Sequence, residues 1–256
     1  MLTKADAKLV HALKNRRGRE KHGLFLAEGI RVVEDLLASA IDLQFALAST
    51  TLGDTERGRA LVASLHDATT VKEVTDRELS DIAETETPQG VLVVARIRET
   101  PLRDVKLESD AVVLVLDAVQ DPGNLGTLIR SADAFGVAAV VALPGTVDYW
   151  SSKVIRSTAG AAFRMPLVSA REDETWAWLA EHKASICGAD MAGRPIADIQ
   201  RNGRIALVVG NEGSGLRDDT RAHLTELISI PMRGAAESLN VAVAAGILLY
   251  EFSRGK

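Results

Sequence analysis

The chain has 256 residues, 46% hydrophobic and 25% charged, with a formal net charge of −5, which suits a globular protein long enough for two ordinary domains. Its one cysteine, Cys187, excludes an intrachain disulfide and a multi-cysteine metal site, and its five His include no HxxxH or HExxH pair. No apolar run reaches the ~20 residues of a membrane span, and residues 1–23 lack the apolar core of a secretory signal, so a cytoplasmic protein without metal or membrane is expected.

Residues 3–15 predict a helix capped by Thr3, with Leu9, Val10 and Leu13 on one face. A basic loop, NRRGREKHG, follows. Residues 1–23 hold seven Lys/Arg against two acids, a balance of +5 that leaves −10 on the rest. The split points to a basic face for a polyanion carried by Lys14, Arg16, Arg17, Arg19 and Lys21, with a solvated terminus as the plain alternative. FLAEG ends a strand, IRVVEDLLAS is a helix, and LQFALAS (43–49) a second strand. Helices at 56–67 and 75–84 flank the strand TTVKEVT, and Thr75 with Glu78 fits a capping box. VLVVARI is a further strand. Residues 1–97 thus form a small α/β domain, and the polar, patternless stretch 98–110 suits a linker.

Residues 111–256 form the second domain. AVVLVLDAV (111–119) is a buried strand, Asp121-Pro122-Gly123 a turn, and Asn124 to Gly136 an amphipathic helix. AAVVAL, RMPLV, ASICGAD and RIALVVG are strands separated by helices near 151–158, 173–182 and 217–224. Cys187 reads as a small buried residue rather than a nucleophile. A last short strand, Leu227 to Ile230, stops at Pro231, which has no N–H to donate. After the loop Met232 to Glu237, Leu239 to Phe252 predicts a helix apolar on nearly every side, hence buried on nearly every side. Ser238 and Asn240 at its entrance are either N-caps or the floor of a site. The alternation describes a mainly parallel α/β sheet.

Ligands in such sheets gather at the carboxyl ends of the strands. Three strands here end in unusual loops: DPGNLGTLIR, GNEGSGL (Gly210 to Leu216) and IPMRGAAESLN. GNEGSG is neither GxGxxG nor a phosphate-binding loop, because Leu216 stands where that motif has Lys. Taken together, NLGTLIR, GNEGSGL and IPMRGAAESLNVAVAAGILLYE resemble the SpoU (TrmH-type) branch of the SPOUT methyltransferases, over about residues 111–253. Residues 1–97, with FLAEGIRVVEDLL and TPQG, look like that family's appended substrate-binding domain.

The resemblance implies an S-adenosylmethionine-dependent RNA 2′-O-ribose methyltransferase, a C-terminal trefoil knot and a homodimer. The N-terminal module favours ribosomal RNA over tRNA as substrate. A knotted base-nitrogen methyltransferase and a non-catalytic RNA-binding module are the rivals. Mapped onto this chain, the cofactor's adenosine falls to Gly210, Ile230, Met232 and Leu239, with the loop around Leu143 to Gly145 nearby. The catalytic residues carried over are Asn124, Arg130, Glu212, Ser238 and Asn240. Arg130 faces the ribose hydroxyl in the family. A guanidinium stays protonated, so holding phosphate and stabilising an alkoxide suits it better than general-base work. Its plain alternative is a surface pair with Asp133, and Glu212's is a carboxylate accepting loop amides.

Overall fold

The computed structural model describes residues 2–200, 202–234 and 238–254, and the chain divides into two compact units. The first unit is Met1–Arg98 with Asp148–Arg164; the second is Glu99–Val147 with Met165–Lys256. Ala235, Ala236 and Glu237, in the loop expected at Met232 to Glu237, lie outside the described residues.

In the first unit, α1 (Lys4–Leu13), α2 (Arg16–His22), β1 (Leu24–Glu28), α3 (Ile30–Leu37), β2 (Leu43–Ser49), α4 (Glu56–Ala68), β3 (Val71–Val74), α5 (Asp76–Ile82) and β4 (Val91–Arg96) follow in order. The four-stranded sheet runs β1-β4-β2-β3, with β4 antiparallel to both neighbours and β2 parallel to β3. Val10, Leu13, Phe45, Leu47, Leu79 and Leu92 form part of its core. The capping boxes Thr3–Asp6 and Thr75–Glu78 close α1 and α5. The segment 148–164, with α7 (Ser152–Ser157) numbered by chain position, joins this unit through aromatic packing. Phe25 of β1 lies 4.7 Å from Trp150 and 6.1 Å from Phe163 between ring centres.

The basic stretch expected as a loop is a helix. Asn15 caps α2 by accepting from the Gly18 amide at 3.0 Å, and Gly23, at φ 63°, ends it. Gly18 is required where it stands, since a Cβ there would lie 1.8 Å from the Ala12 carbonyl oxygen. Within α2, Arg19, expected on the basic face, is turned inward. It is 4% exposed, its Nε donates to Asp148 at 2.7 Å and its Nη1 to the Leu13 carbonyl at 2.8 Å. Lys14 is half-buried and donates to the Ala83 carbonyl at 3.0 Å. Arg16, Arg17 and Lys21 remain exposed, Arg16 paired with Glu20.

The second unit contains β5 (Val112–Leu116), α6 (Pro122–Ala134), β6 (Ala139–Ala142), β7 (Leu167–Ser169), α8 (Glu172–Glu181), β8 (Ser185–Pro195), β9 (Ile205–Val209), α9 (Asp218–Arg221), β10 (Glu226–Ser229) and α10 (Val241–Ser253). Its six strands run β10-β8-β9-β5-β6-β7, all pairs parallel. β5 and β9 are buried along their whole length, as continuous apolar runs require. The order reverses beside β5, which places a crevice at the carboxyl ends of the central strands. The stretch expected as a linker is in part packed: Val105 is buried in this unit's core, with Leu102 and Leu107 against it. Single apolar residues two or three apart carry that packing, a spacing with no helix or strand period.

Helix α10 departs from its expected burial. Ala242, Ala245, Leu248, Leu249 and Phe252 are buried, but Val243 is 50%, Ile247 37% and Tyr250 51% exposed. Spacings of four and three put those on one face. Among the described residues no element covers that face.

Arg19→Ala should destabilise the first unit by about 3 kcal/mol, because it leaves Asp148 and a carbonyl without their partner. Arg16→Ala should cost no more than about 0.5 kcal/mol. Hydrogen exchange of the β1 amides reads both, and equal protection in the two variants would refute the distinction.

Candidate functional site

The crevice of the second unit holds a cleft of about 380 Å³. Gly210 to Gly215 after β9, Ile230 and Met232 after β10, Ser238 and Leu239 before α10, and Ala189 to Met191 of β8 line it. Val241, Ala244 and Leu248 of α10 close one side. Gly210 cannot carry a side chain, since a Cβ would lie 2.3 Å from the Gly215 backbone.

Glu212 ties the loops together. Its carboxylate accepts from the amides of Gln120 at 3.2 Å and Asp121 at 3.0 Å, and from the Asn124 side chain at 3.0 Å. The Asn124 side-chain oxygen in turn accepts from Asn240 at 2.9 Å. The Asn240 oxygen accepts from the amides of Ala242 and Val243 at 2.9 and 3.3 Å, capping α10. Three loops separated by up to 116 residues thus share one chain of hydrogen bonds. Burial would raise the Glu212 carboxyl, but the bonds from Asn124 and the loop amides outweigh it and hold the group below its ordinary value.

A second set of polar residues shapes the same loops and escaped sequence reading. Asn211 folds GNEGSG on itself, its oxygen accepting from the Gly213 and Ser214 amides at 2.9 and 3.1 Å and its nitrogen donating to Ala118 at 2.9 Å. Asp117, fully buried at the end of β5, pairs with the Arg217 guanidinium and accepts from the Arg217 amide at 2.9 Å. Arg217 also reaches Glu172 at 2.8 Å. Arg221 pairs with Asp190, and both border the cleft. The available signal was an Asp directly after an apolar strand, at LVLD, with an Arg after the glycine loop.

Of the residues singled out from sequence, Gly210, Glu212, Ile230, Met232, Ser238 and Leu239 line the cleft. Asn124 and Asn240 join Glu212 at its edge. Leu143 instead packs into the sheet core, and Gly145, at φ 97°, packs against Ala118, both outside the lining residues. Arg130 is exposed on α6, beyond the lining residues. Cys187 is buried, and burial followed by the charge of Glu226 pushes its thiol up to about 11, far from nucleophilic reactivity. Among the described residues no group of three or more His, Cys, Asp or Glu could hold a metal, and no helix is long and apolar enough to cross a membrane.

A parallel sheet with an apolar, glycine-bordered cleft at its carboxyl edge defines an α/β protein with a small-molecule site. The SpoU rRNA Methylase profile matches residues 111–250, and the MRM3-like substrate binding domain profile matches residues 4–93. The chain belongs to the SpoU rRNA methylase family. It is 38% identical over 250 residues to the 23S rRNA (guanosine(2553)-2′-O)-methyltransferase RlmP of Bacillus subtilis, covering 96% of this chain and 93% of that one. Among solved structures, the SpoU methyltransferase AviRb of Streptomyces viridochromogenes, in complex with AdoMet, superposes with a TM-score of 0.90 at 27% identity, over 98% of each chain. An AdoMet-bound rRNA methyltransferase from Sinorhizobium meliloti gives 0.88 at 30% identity, over 99% of this chain and 96% of that one.

Because the folded Glu212 pKa is depressed, its contribution to loop stability is present above the unfolded value, near 4.3, and is lost as pH falls through the lower folded value. Exchange protection of the Gln120 and Asp121 amides should therefore fall on acidification from pH 5 to pH 3 (about that range) in the native protein. In Glu212→Gln it should be low at both ends. Equal acid sensitivity in the two proteins would show that Glu212 does not hold the loop.

Proposed function

We propose that this protein is an S-adenosylmethionine-dependent RNA 2′-O-ribose methyltransferase acting on ribosomal RNA. The observation that carries the reading is the cleft itself, lined by two of the family loops and tied to the third through Glu212, Asn124 and Asn240. Its volume lies within the range of small-ligand sites, and Ile230, Met232, Leu239 and Leu248 suit an adenine. When bound, the cofactor supplies an electrophilic methyl group on a sulfonium. A relative named as a 23S rRNA 2′-O-methyltransferase, matched over 96% of this chain, supports the substrate class. Ribosomal RNA as substrate implies a cytoplasmic protein.

In this reading the site residues divide by task. Asn124 uses its amide nitrogen on Glu212 and its oxygen on Asn240, so both act on the loops. We assign Asn124, Glu212 and Asn240 to positioning, and Arg130 and Ser238, both exposed, to the RNA. The guanidinium holds a phosphate and stabilises the hydroxyl oxygen as its proton leaves to water. Residues 1–97 form the substrate-binding domain, with Arg16, Arg17 and Lys21 available to phosphates. Residues 111–256 form the methyltransferase domain, with the family's C-terminal knot.

Incubation with 23S rRNA and S-adenosylmethionine, then nuclease digestion and mass analysis, should yield a methylated ribose. A methylated base or no product would overturn the reading. Arg130→Lys keeps the charge and loses the planar fork. Single-turnover methylation should fall on the order of a hundredfold with cofactor binding intact. Near-normal turnover would remove Arg130 from the site.

The uncovered α10 face supports a homodimer, because Phe135 extends it beside Tyr250, 6.0 Å between ring centres. Such an interface buries about 800 Å² per partner. Sedimentation at micromolar concentration should show a dimer, and Ile247→Glu should sediment as a monomer. A monomeric, active native protein would refute the assembly.

A further inference from the structure

Helix α2 has two sides. Arg16, Arg17 and Lys21 are exposed, whereas Arg19 is buried and donates from Nε to Asp148 at 2.7 Å. Both carboxylate oxygens of Asp148 are engaged, since the other accepts from the Trp150 amide at 2.9 Å. The residues just before Asp148 belong to the second unit and are bonded to the end of β5. The Val147 amide donates to the Val119 carbonyl at 2.9 Å, and the buried Thr146 hydroxyl donates to the Leu116 carbonyl at 3.1 Å. These two bonds bracket Ala118, whose φ of 60° lies in the left-handed region. A side chain takes that conformation at a cost, and keeps it only where its surroundings over-determine it. Asn211 donates to the Ala118 carbonyl at 2.9 Å, and a Cβ on Gly145 would lie 3.1 Å from the Ala118 Cβ. Just beyond Ala118, Gln120 and Asp121 give their amides to Glu212.

Resting on the reading above, we propose that Asp148 is a positioning residue for methyl transfer: it anchors segment 146–148 to the RNA-facing helix and so keeps the strained turn at Ala118 in the form that Glu212 grips. Every step is a peptide bond or a hydrogen bond. Arg19 holds Asp148, Asp148 is joined to Val147, Val147 holds Val119, and Val119 leads into the amides that Glu212 accepts. The charge-assisted bond to Arg19 is the strong kind, and it stands at the head of this series. A left-handed alanine relaxes toward ordinary backbone when its neighbours loosen, so the anchor is felt at the loop. Phosphates bound at Arg16, Arg17 and Lys21 order the helix that carries Arg19. RNA on one side of α2 therefore steadies the loop reached from the other.

Hydrogen exchange, with single-turnover methylation at saturating 23S rRNA, tests this. Asp148→Asn keeps an acceptor for the Trp150 amide and loses the charge facing Arg19. Exchange at the Gln120 and Asp121 amides should rise about tenfold with the β9 amides unchanged, and turnover should fall by a similar factor. Thr146→Val removes one hydroxyl and leaves α2 untouched, and the Leu116 carbonyl still accepts from the Leu143 amide at 3.0 Å. It should raise the same two amides about fivefold, and it decides the matter if the β1 amides show that Asp148→Asn unfolds the first unit. Ala118→Gly removes the cost of the left-handed turn, so adding it to Asp148→Asn should bring exchange and turnover back toward native. Native exchange at the two amides in either folded variant, a rise shared by β9, or no recovery with Ala118→Gly overturns the anchor. Exchange that responds as stated, in a protein that makes no methylated ribose, upholds the anchor and overturns the methyltransferase reading.

Discussion

The second unit depends on one carboxylate. Glu212 receives two backbone amides and one side-chain amide from the segment after β5, and Asn124 passes the connection on to Asn240 and the first turn of α10. Glycine-bearing loops have much conformational freedom to lose, on the order of 1–2 kcal/mol per residue. Charge-assisted bonds are the strong kind, and here they converge on loops that the sheet alone would leave apart. Both functional groups of Asn124 and both of Asn240 are engaged, so a change at one is felt by the others. The polar residue at the mouth of an apolar helix is thus cap and connector at once.

Asp117 does the corresponding work below the loops. A carboxylate at zero exposure is costly unless paired and hydrogen-bonded, and here Arg217 supplies both its guanidinium and its amide. Because Arg217 also pairs with Glu172, the same side chain links β5 to the start of α8. Together with the Asn211 turn, the pair fixes where the chain goes after the glycine loop. The cleft wall therefore rests on buried polar geometry, while the strands β5, β6 and β9 beneath it are apolar throughout.

The sheet was legible because its strands are unbroken apolar runs bounded by Gly, Pro or Asp, and the three loops because their residues stand in a family order. Other features had no local signal. Helix α2 reads as a basic loop, since seven residues rich in charge show no apolar period; its caps, Asn15 and Gly23, were the available cue. Arg19 looks like its neighbours in sequence, and only Asp148, 129 residues away, distinguishes it. The segment 148–164 joins the first unit through Trp150 and Phe163, whose partner Phe25 is likewise far away in sequence. The register shift of β10 on β8, between Leu227 and Ile228, was masked because ASICGAD and its continuation resemble any strand end. Leu143 shows the converse, a residue near the crevice in sequence order whose side chain packs into the core.

The exposed apolar residues carry the division of labour further. Among the described residues the large ones are Met191, Met232, Leu239, Val243, Ile247 and Tyr250. All belong to the second unit. Met191, Met232 and Leu239 border the cleft, and the rest share one face of α10. Apolar atoms are common on any surface, but large side chains gathered in two patches mark places where something else is bound. A flat aromatic ligand and a second helix face are both apolar partners, the kinds of group that the proposed function calls for. The first unit has none of these residues and offers Arg16, Arg17 and Lys21 instead. That is the surface a polyanion requires, because its binding rests on charge neutralisation and counterion release rather than on buried apolar area.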